Sequence, residues 1–284
     1  MTRDLNEASI TDAVLERIAA TPNPRTHAVV RSLVKHLHDF VRDVQPSIDE
    51  WAFAIDYLTR TGKLCTDTRQ EFILLSDALG VSTLVDVINH TDGGTESTVL
   101  GPFYVPNVPA SPNGANITAG LPGQPLLVQG VILDDAGPVA NALIETWQSD
   151  RDGFYDVQRT DVPHPALRGT FHSDAGGKFW FWTIQPHFYP IPDDGTVGEL
   201  LKATQRHPFR PAHIHFMIRA AGHEKLVTHV FSDPDPYLDG DAVFAVKQSL
   251  VRTFAEHAAG TAPDGTVMTE PWRHLAYDFR LATL

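Results

Sequence analysis

The run Arg210-Pro-Ala-His-Ile-His-Phe-Met-Ile218 decides how the chain is read. Pro211 restricts the backbone before it, and His213–Ile218 then reads as a β-strand. Alternate residues of a strand share a face, so His213 and His215 project together while Ile214 packs behind. Similar short runs flank it: Pro125–Leu133, Ala142–Trp147, Thr170–His172, Phe179–Thr183 and Leu226–Phe231. Asp174-Ala-Gly-Gly177 reads as a hairpin turn. Turn residues separate these runs, and no regular helix–strand alternation appears. The pattern predicts an antiparallel β-sandwich rather than a doubly wound sheet.

Upstream of residue 101 the period changes. Val29, Val30, Leu33, Val34, Leu37, Phe40 and Val41 recur on one helical face. Ser47 followed by Glu50 fits a capping box for a helix carrying Trp51, Ile55 and Leu58. Asp67 and Ser82 are expected to cap two more helices, Phe72–Leu79 and Leu84–Ile88, with Gly80 ending the first and Gly93-Gly94 following the second. The expectation is α+β: a helical N-terminal region, 1–100, then a β-sandwich region, 101–284. Within the latter, Val243–His257 reads as a helix. The Pro-, Gly- and His-rich Ile184–Arg210 segment reads mostly as long loops.

With 22 Lys+Arg against 35 Asp+Glu, the net charge is −13 over 284 residues. So acidic a surface disfavours nucleic acid and anionic membranes as partners. The single Cys65 excludes an intrachain disulfide or a CxxC zinc knuckle. The first residues lack the apolar core of a secretory signal, and no run is long enough to span a bilayer. The expectation is a cytoplasmic protein without membrane insertion.

Two imidazoles on one strand face make half of a metal site; two polar groups facing solvent would share the pattern. Candidate further ligands are the carboxylates Asp150, Asp152 and Asp156 after Trp147, and two of the six tyrosines, Tyr155 and Tyr189. Each tyrosine alone also fits a half-buried core residue with its hydroxyl bonded.

Taken together, four motifs resemble the intradiol ring-cleavage dioxygenases. They are Gly101-Pro-Phe-Tyr104, Trp147…Gly153-Phe-Tyr155, Tyr189-Pro-Ile-Pro192 and Arg210-Pro-Ala-His-Ile-His215. The Tyr-Pro-Ile-Pro loop and Leu74-Leu-Ser-Asp77 resemble the hydroxyquinol-cleaving branch. The resemblance covers nearly the whole chain and implies one non-haem Fe(III) per chain, held by Tyr155, Tyr189, His213 and His215. Phenolate is a hard anionic donor suited to a hard trivalent ion. A bound cation can strip a tyrosine proton whose reference pKa is near ~10. Two phenolates also distinguish such a site from the 2-His-1-carboxylate Fe(II) oxygenases.

The implied reaction cleaves hydroxyquinol between adjacent hydroxyls with O2, giving 3-hydroxy-cis,cis-muconate or maleylacetate. Tyr189 is implied to be displaced and to take up a substrate proton, while Tyr155 stays bound. Arg210 is implied to stabilise charge on the ring, with an ordinary salt bridge as the alternative role. His229 stands where catechol-type relatives carry Gln; it either contacts iron-bound oxygens, orients a ligand, or is a satisfied core histidine.

The implied pocket comprises Leu74, Asp77, Val99, Leu100, Gly101, Pro102, Phe103, Ile191, Pro192, Arg210 and Val243. Asp77 is a carboxylate among leucines and needs a partner, which the third hydroxyl of hydroxyquinol could provide. The N-terminal helices resemble a dimerisation region enclosing a phospholipid-like amphiphile. Rival readings are a catechol or chlorocatechol dioxygenase, a Zn hydrolase using His213, His215 and His229, and a non-catalytic aromatic-binding sandwich.

Overall fold

The computed structural model describes residues 3–66, 69–90 and 93–284. The chain divides into two compact units, one ending at Arg60 and the other covering Thr61–Leu284. The first holds α1 (Ile10–Ile18), α2 (Pro24–Val44) and most of α3 (Ile48–Lys63). Local chemistry starts these helices. Asn23 accepts the Thr26 N–H at 2.9 Å, and Pro24 occupies the first turn, where its missing N–H costs nothing. The capping box of α3 is present: the Ser47 N–H donates to Glu50 at 2.8 Å, and the Glu50 N–H to Ser47 Oγ at 3.2 Å. The stripe Val29, Leu33, Leu37 and Phe40 on α2 is solvent-exposed.

The second unit begins with α4 (Glu71–Ala78) and α5 (Val81–Asn89). Gly80 sits between them at φ 72°, a left-handed conformation that suits glycine. It ends α4 as expected, but it also caps α5, so Ser82 lies inside that helix and pairs with Ser76 at 2.9 Å. Asp67 lies outside the described residues. Then follow β1 (Pro125–Leu133), β2 (Leu143–Gln148), β3 (Arg168–His172), β4 (Lys178–Ile184), β5 (Tyr189–Pro190), α6 (Thr196–Ala203), β6 (Phe209–Arg210), β7 (His213–Arg219) and β8 (Leu226–Asp233). The last strands are β9 (Val251–Thr253), β10 (Ala255–His257), β11 (Gly260–Thr261), β12 (Val267–Met268), β13 (Trp272–Ala276) and β14 (Phe279–Arg280).

One sheet runs β3-β2-β7-β8-β9; the other runs β10-β13-β1-β14, with β4 also on β1. Their facing sides form one apolar core, including Ile144, Ile214, Phe216 and Val230 from the first sheet and Leu126, Val128, Phe179 and Phe181 from the second. Most pairings are antiparallel, but β1·β13, β1·β14 and β8·β9 are parallel. Those strands meet over long connections, so no tight hairpin dictates their direction.

Three expectations give way in whole or in part. Val243–His257 is not a helix but a short 3-10 turn followed by β9 and β10. Asp241 accepts backbone N–H bonds from Val243 and Ala245, Phe244 has φ 59°, and pairing to β8 and β13 overrides helical propensity. The Ile184–Arg210 segment is loop over about half its length, but it also contains α6, which buries Val197 and Leu201, and the β5·β6 pair. The Asp174–Gly177 turn closes with the Gly177 N–H on Asp174 at 2.9 Å, but it joins strands of different sheets rather than a hairpin.

Candidate metal centre

β7 is buried on both faces. Ile214, Phe216 and Ile218 enter the inter-sheet core; His213, His215 and Met217 face the other way, under the loops. Two of those loops bring the tyrosines. Tyr155 follows β2, its backbone N–H donating to Gln158 at 2.8 Å in the first turn of a short helix. Tyr189 opens β5 and is the register partner of Arg210 on β6. Gly153 lets the two loops touch: it has φ 88°, and a Cβ there would lie 2.9 Å from the Phe188 carbonyl and 3.1 Å from Tyr189 Cβ.

The four side chains converge. Tyr155 Oη lies 2.9 Å from His215 Nε2 and 3.3 Å from Tyr189 Oη, and the two histidine Nε2 atoms are 3.1 Å apart. Donor atoms at about 2 Å from a common ion stand about 3 Å apart when adjacent, so the cluster fits a metal. The titration environment agrees. Burial, reinforced by the Arg210 charge, holds both imidazoles neutral, the form that ligates. Burial also pushes the Tyr155 phenol well above its ordinary range, so only a strong nearby cation makes it a phenolate. His213 has its Nδ1 2.7 Å from the Pro211 carbonyl, which leaves Nε2 as the free lone pair. Phe103 stacks on Tyr155 with ring centres 4.4 Å apart, and Trp147 on His215 at 4.6 Å.

The third histidine is placed differently. His229 Nε2 is 2.8 Å from His215 Nδ1, the nitrogen facing away from the cluster, and His229 Nδ1 is 2.8 Å from Thr98 Oγ1. His213, His215 and His229 offer nitrogens within 4.8 Å of one another, yet this hydrogen bond engages His229 with the back of His215. The carboxylates are also occupied elsewhere. Asp156 is buried against Arg168, whose Nε lies 2.7 Å from it, and Asp150 accepts the N–H groups of Asp152 and Phe154 and pairs with Arg159 at 2.6 Å.

Beside the donors is a narrow cleft. Leu74 and Asp77 of α4, Val99, Gly101–Phe103, Ile191, Pro192 and Val243 wall it, and Tyr189 and Arg210 complete the lining. Leu100 is not in the lining and is partly exposed. Gly101, at φ 73°, brings the wall close to His215: a Cβ there would lie 3.3 Å from His215 Cε1. Burial pushes the Asp77 carboxyl up; the Ser82 hydroxyl and the Arg210 charge pull it down less strongly.

Arg210 is buried and clamped by Asp241, Nε–Oδ1 3.1 Å and Nη2–Oδ2 3.4 Å. Its Nη1 lies 3.4 Å from His213 Nε2. Burial alone would favour losing the charge, but Asp241 outweighs it and holds the guanidinium ionised. Sequence reading missed Asp241, Thr98 and Arg168. No local pattern marks them, because their partners lie far away in the chain.

Residues 99–283 match the family described as Dioxygenase, and residues 23–95 the family described as Catechol dioxygenase N terminus. A 6-chlorohydroxyquinol 1,2-dioxygenase of Cupriavidus pinatubonensis is 51% identical over 91% of this chain and 95% of its own. A hydroxyquinol 1,2-dioxygenase of a Rhizobium species is 48% identical over 86% of this chain and 84% of its own. The crystal structure of hydroxyquinol 1,2-dioxygenase from Pseudomonas putida superposes with a TM-score of 0.92 at 45% identity, covering 98% of this chain and 99% of that one.

Proposed function

The chain belongs to the intradiol ring-cleavage dioxygenases, and on that premise we propose that it opens the ring of hydroxyquinol between adjacent hydroxyls with O2. The observation that carries the reading is the convergence of Tyr155, Tyr189, His213 and His215 beside a cavity holding one buried carboxylate and one buried guanidinium. We propose Fe(III) as the metal, since two phenolates and two neutral imidazoles suit a hard trivalent ion and offset two of its charges. When bound, such an ion supplies Lewis acidity and the electronic link between the diol and O2.

The protein side of the chemistry follows from placement. Tyr189 lines the cavity and Tyr155 does not, so Tyr189, held as a phenolate by a bound metal, would be the group positioned to take up a proton from an incoming diol. Tyr155 is locked by Phe103 stacking and stays in place. Arg210 faces the cavity with its charge fixed by Asp241, and it stabilises the negative charge that develops on the ring. The largely apolar walls suit an aromatic face. Asp77 accepts a hydrogen bond from the third hydroxyl, which sets hydroxyquinol apart from catechol. We further propose a homodimer in which a second copy covers the exposed α2 stripe, read out by analytical ultracentrifugation, and a cytoplasmic location. No helix among the described residues is long and apolar enough to cross a membrane.

The test is metal analysis, visible absorption and O2 uptake on hydroxyquinol beside catechol. About one iron per chain, a broad visible band and faster turnover of hydroxyquinol are expected. Stoichiometric zinc, no visible band and no O2 uptake would refute the reading.

A further inference from the structure

The two histidines of the centre are oriented by different devices. His213 is held by the Pro211 carbonyl two residues away, a backbone group that no side-chain substitution removes. Among the described residues His215 has no such backbone partner on its ring; its Nδ1 meets His229 Nε2 at 2.8 Å, and His229 Nδ1 meets Thr98 Oγ1 at 2.8 Å. Thr98, His215 and His229 are all buried. The strands fix the geometry: His229 on β8 is the register partner of His215 on β7, and Trp147 on β2 is its partner on the other side.

We propose that Thr98 and His229 form a proton-ordered relay that holds His215 in the tautomer able to bind the metal. The proposal rests on the metal reading above. A ligating His215 uses its Nε2 lone pair, so its proton sits on Nδ1 and donates to His229 Nε2. His229 must then carry its proton on Nδ1, which donates to Thr98 Oγ1. Reversing every bond also satisfies the same atoms, but it puts a proton on His215 Nε2, where it blocks the metal. The relay thus has two polarities, and only one is compatible with a loaded centre. His229 does not line the cavity, so it is a positioning residue acting through His215 rather than a group that meets substrate. Ligand-orienting partners of this kind commonly govern metal retention.

The test follows loss of the visible band when iron-loaded protein is mixed with excess EDTA, with circular dichroism as the control for folding. His229→Leu fills similar space without an acceptor and should release iron about 10–100-fold faster. His229→Gln can accept the Nδ1–H through its amide oxygen and should stay close to the parent protein in rate and band position. Thr98→Val should fall between them. Equal release by the parent and His229→Leu overturns the relay, and so does His229→Gln behaving like His229→Leu, which would assign the effect to ring packing. If His229→Leu does not fold, Thr98→Val decides: a rate equal to the parent's overturns the proposal. A parent protein without iron overturns the metal reading together with the relay. A loaded parent with unaltered variants overturns the relay alone.

Discussion

At the centre of the β3-β2-β7-β8-β9 sheet the two faces are both buried and chemically opposite. On the inner face Ile144, Ile214, Phe216 and Val230 meet the second sheet, and no side-chain hydrogen bond is needed. On the outer face His213, His215 and His229 are as dry as those residues, yet every ring nitrogen has a polar neighbour within 3.1 Å. The contrast separates stability from function. Burial on the inner face stabilises through area removed from water. Burial on the outer face keeps imidazoles neutral and a phenol protonated until a cation arrives, and it works against stability unless each polar atom is satisfied.

That contrast can be tested from its strongest element downward. Tyr155→Phe removes an anionic ligand and only one buried hydroxyl, so it should abolish the visible band and turnover with little change in Tm. Retained colour and activity would remove Tyr155 from the donor set. Phe216→Ala, on the opposite face two strands' width from solvent, should instead cost about 3–5 kcal/mol in a denaturant titration. Its remaining folded protein should keep iron, and a selective loss of metal would show that the faces are coupled.

Arg210→Gln keeps a donor for Asp241 but removes the charge. It should retain iron and colour while kcat falls about 10²-fold or more, the scale for one preorganised charge-stabilising group. An unchanged kcat would make the Arg210–Asp241 pair structural. The smallest effect concerns discrimination. Asp77→Asn should narrow the preference for hydroxyquinol over catechol by about 10–100-fold, the worth of one charge-assisted bond. Equal losses on both substrates would leave Asp77 with a helix-supporting role.

Because burial raises the Asp77 pKa, the parent's preference should also grow as pH rises through that displaced value, and Asp77→Asn should flatten the profile. A carboxyl raised in the folded state favours the fold at low pH, and that contribution is lost as pH rises through the folded pKa. Asp77→Asn should therefore leave Tm unchanged or higher at neutral pH.

Much of the fold was legible where its causes are local. The strand Pro125–Leu133 has the predicted ends, and the Ser47–Glu50 box and the Gly80 stop depend on residues within a few positions of each other. Val243–His257 misled because its apolar residues suit either period, and only the β8 and β13 edges made it extended. α6 was hidden because a helix of eight residues, bracketed by Pro and Gly, has too little periodicity to register.

The sequence by itself determined the residue types of the centre, the shared face of His213 and His215, and the four motifs that carry the family resemblance. Only the tertiary structure decided how those groups divide the work. It set His229 behind His215 rather than beside it, bound Arg210 to an aspartate 31 residues away, and put Tyr189 rather than Tyr155 on the cavity wall. The physical reason is range. Capping, turns and strand alternation act over a few residues and are written in the local sequence. Ligand orientation depends on sheet register and loop docking, which join positions with no pattern in common until the core closes.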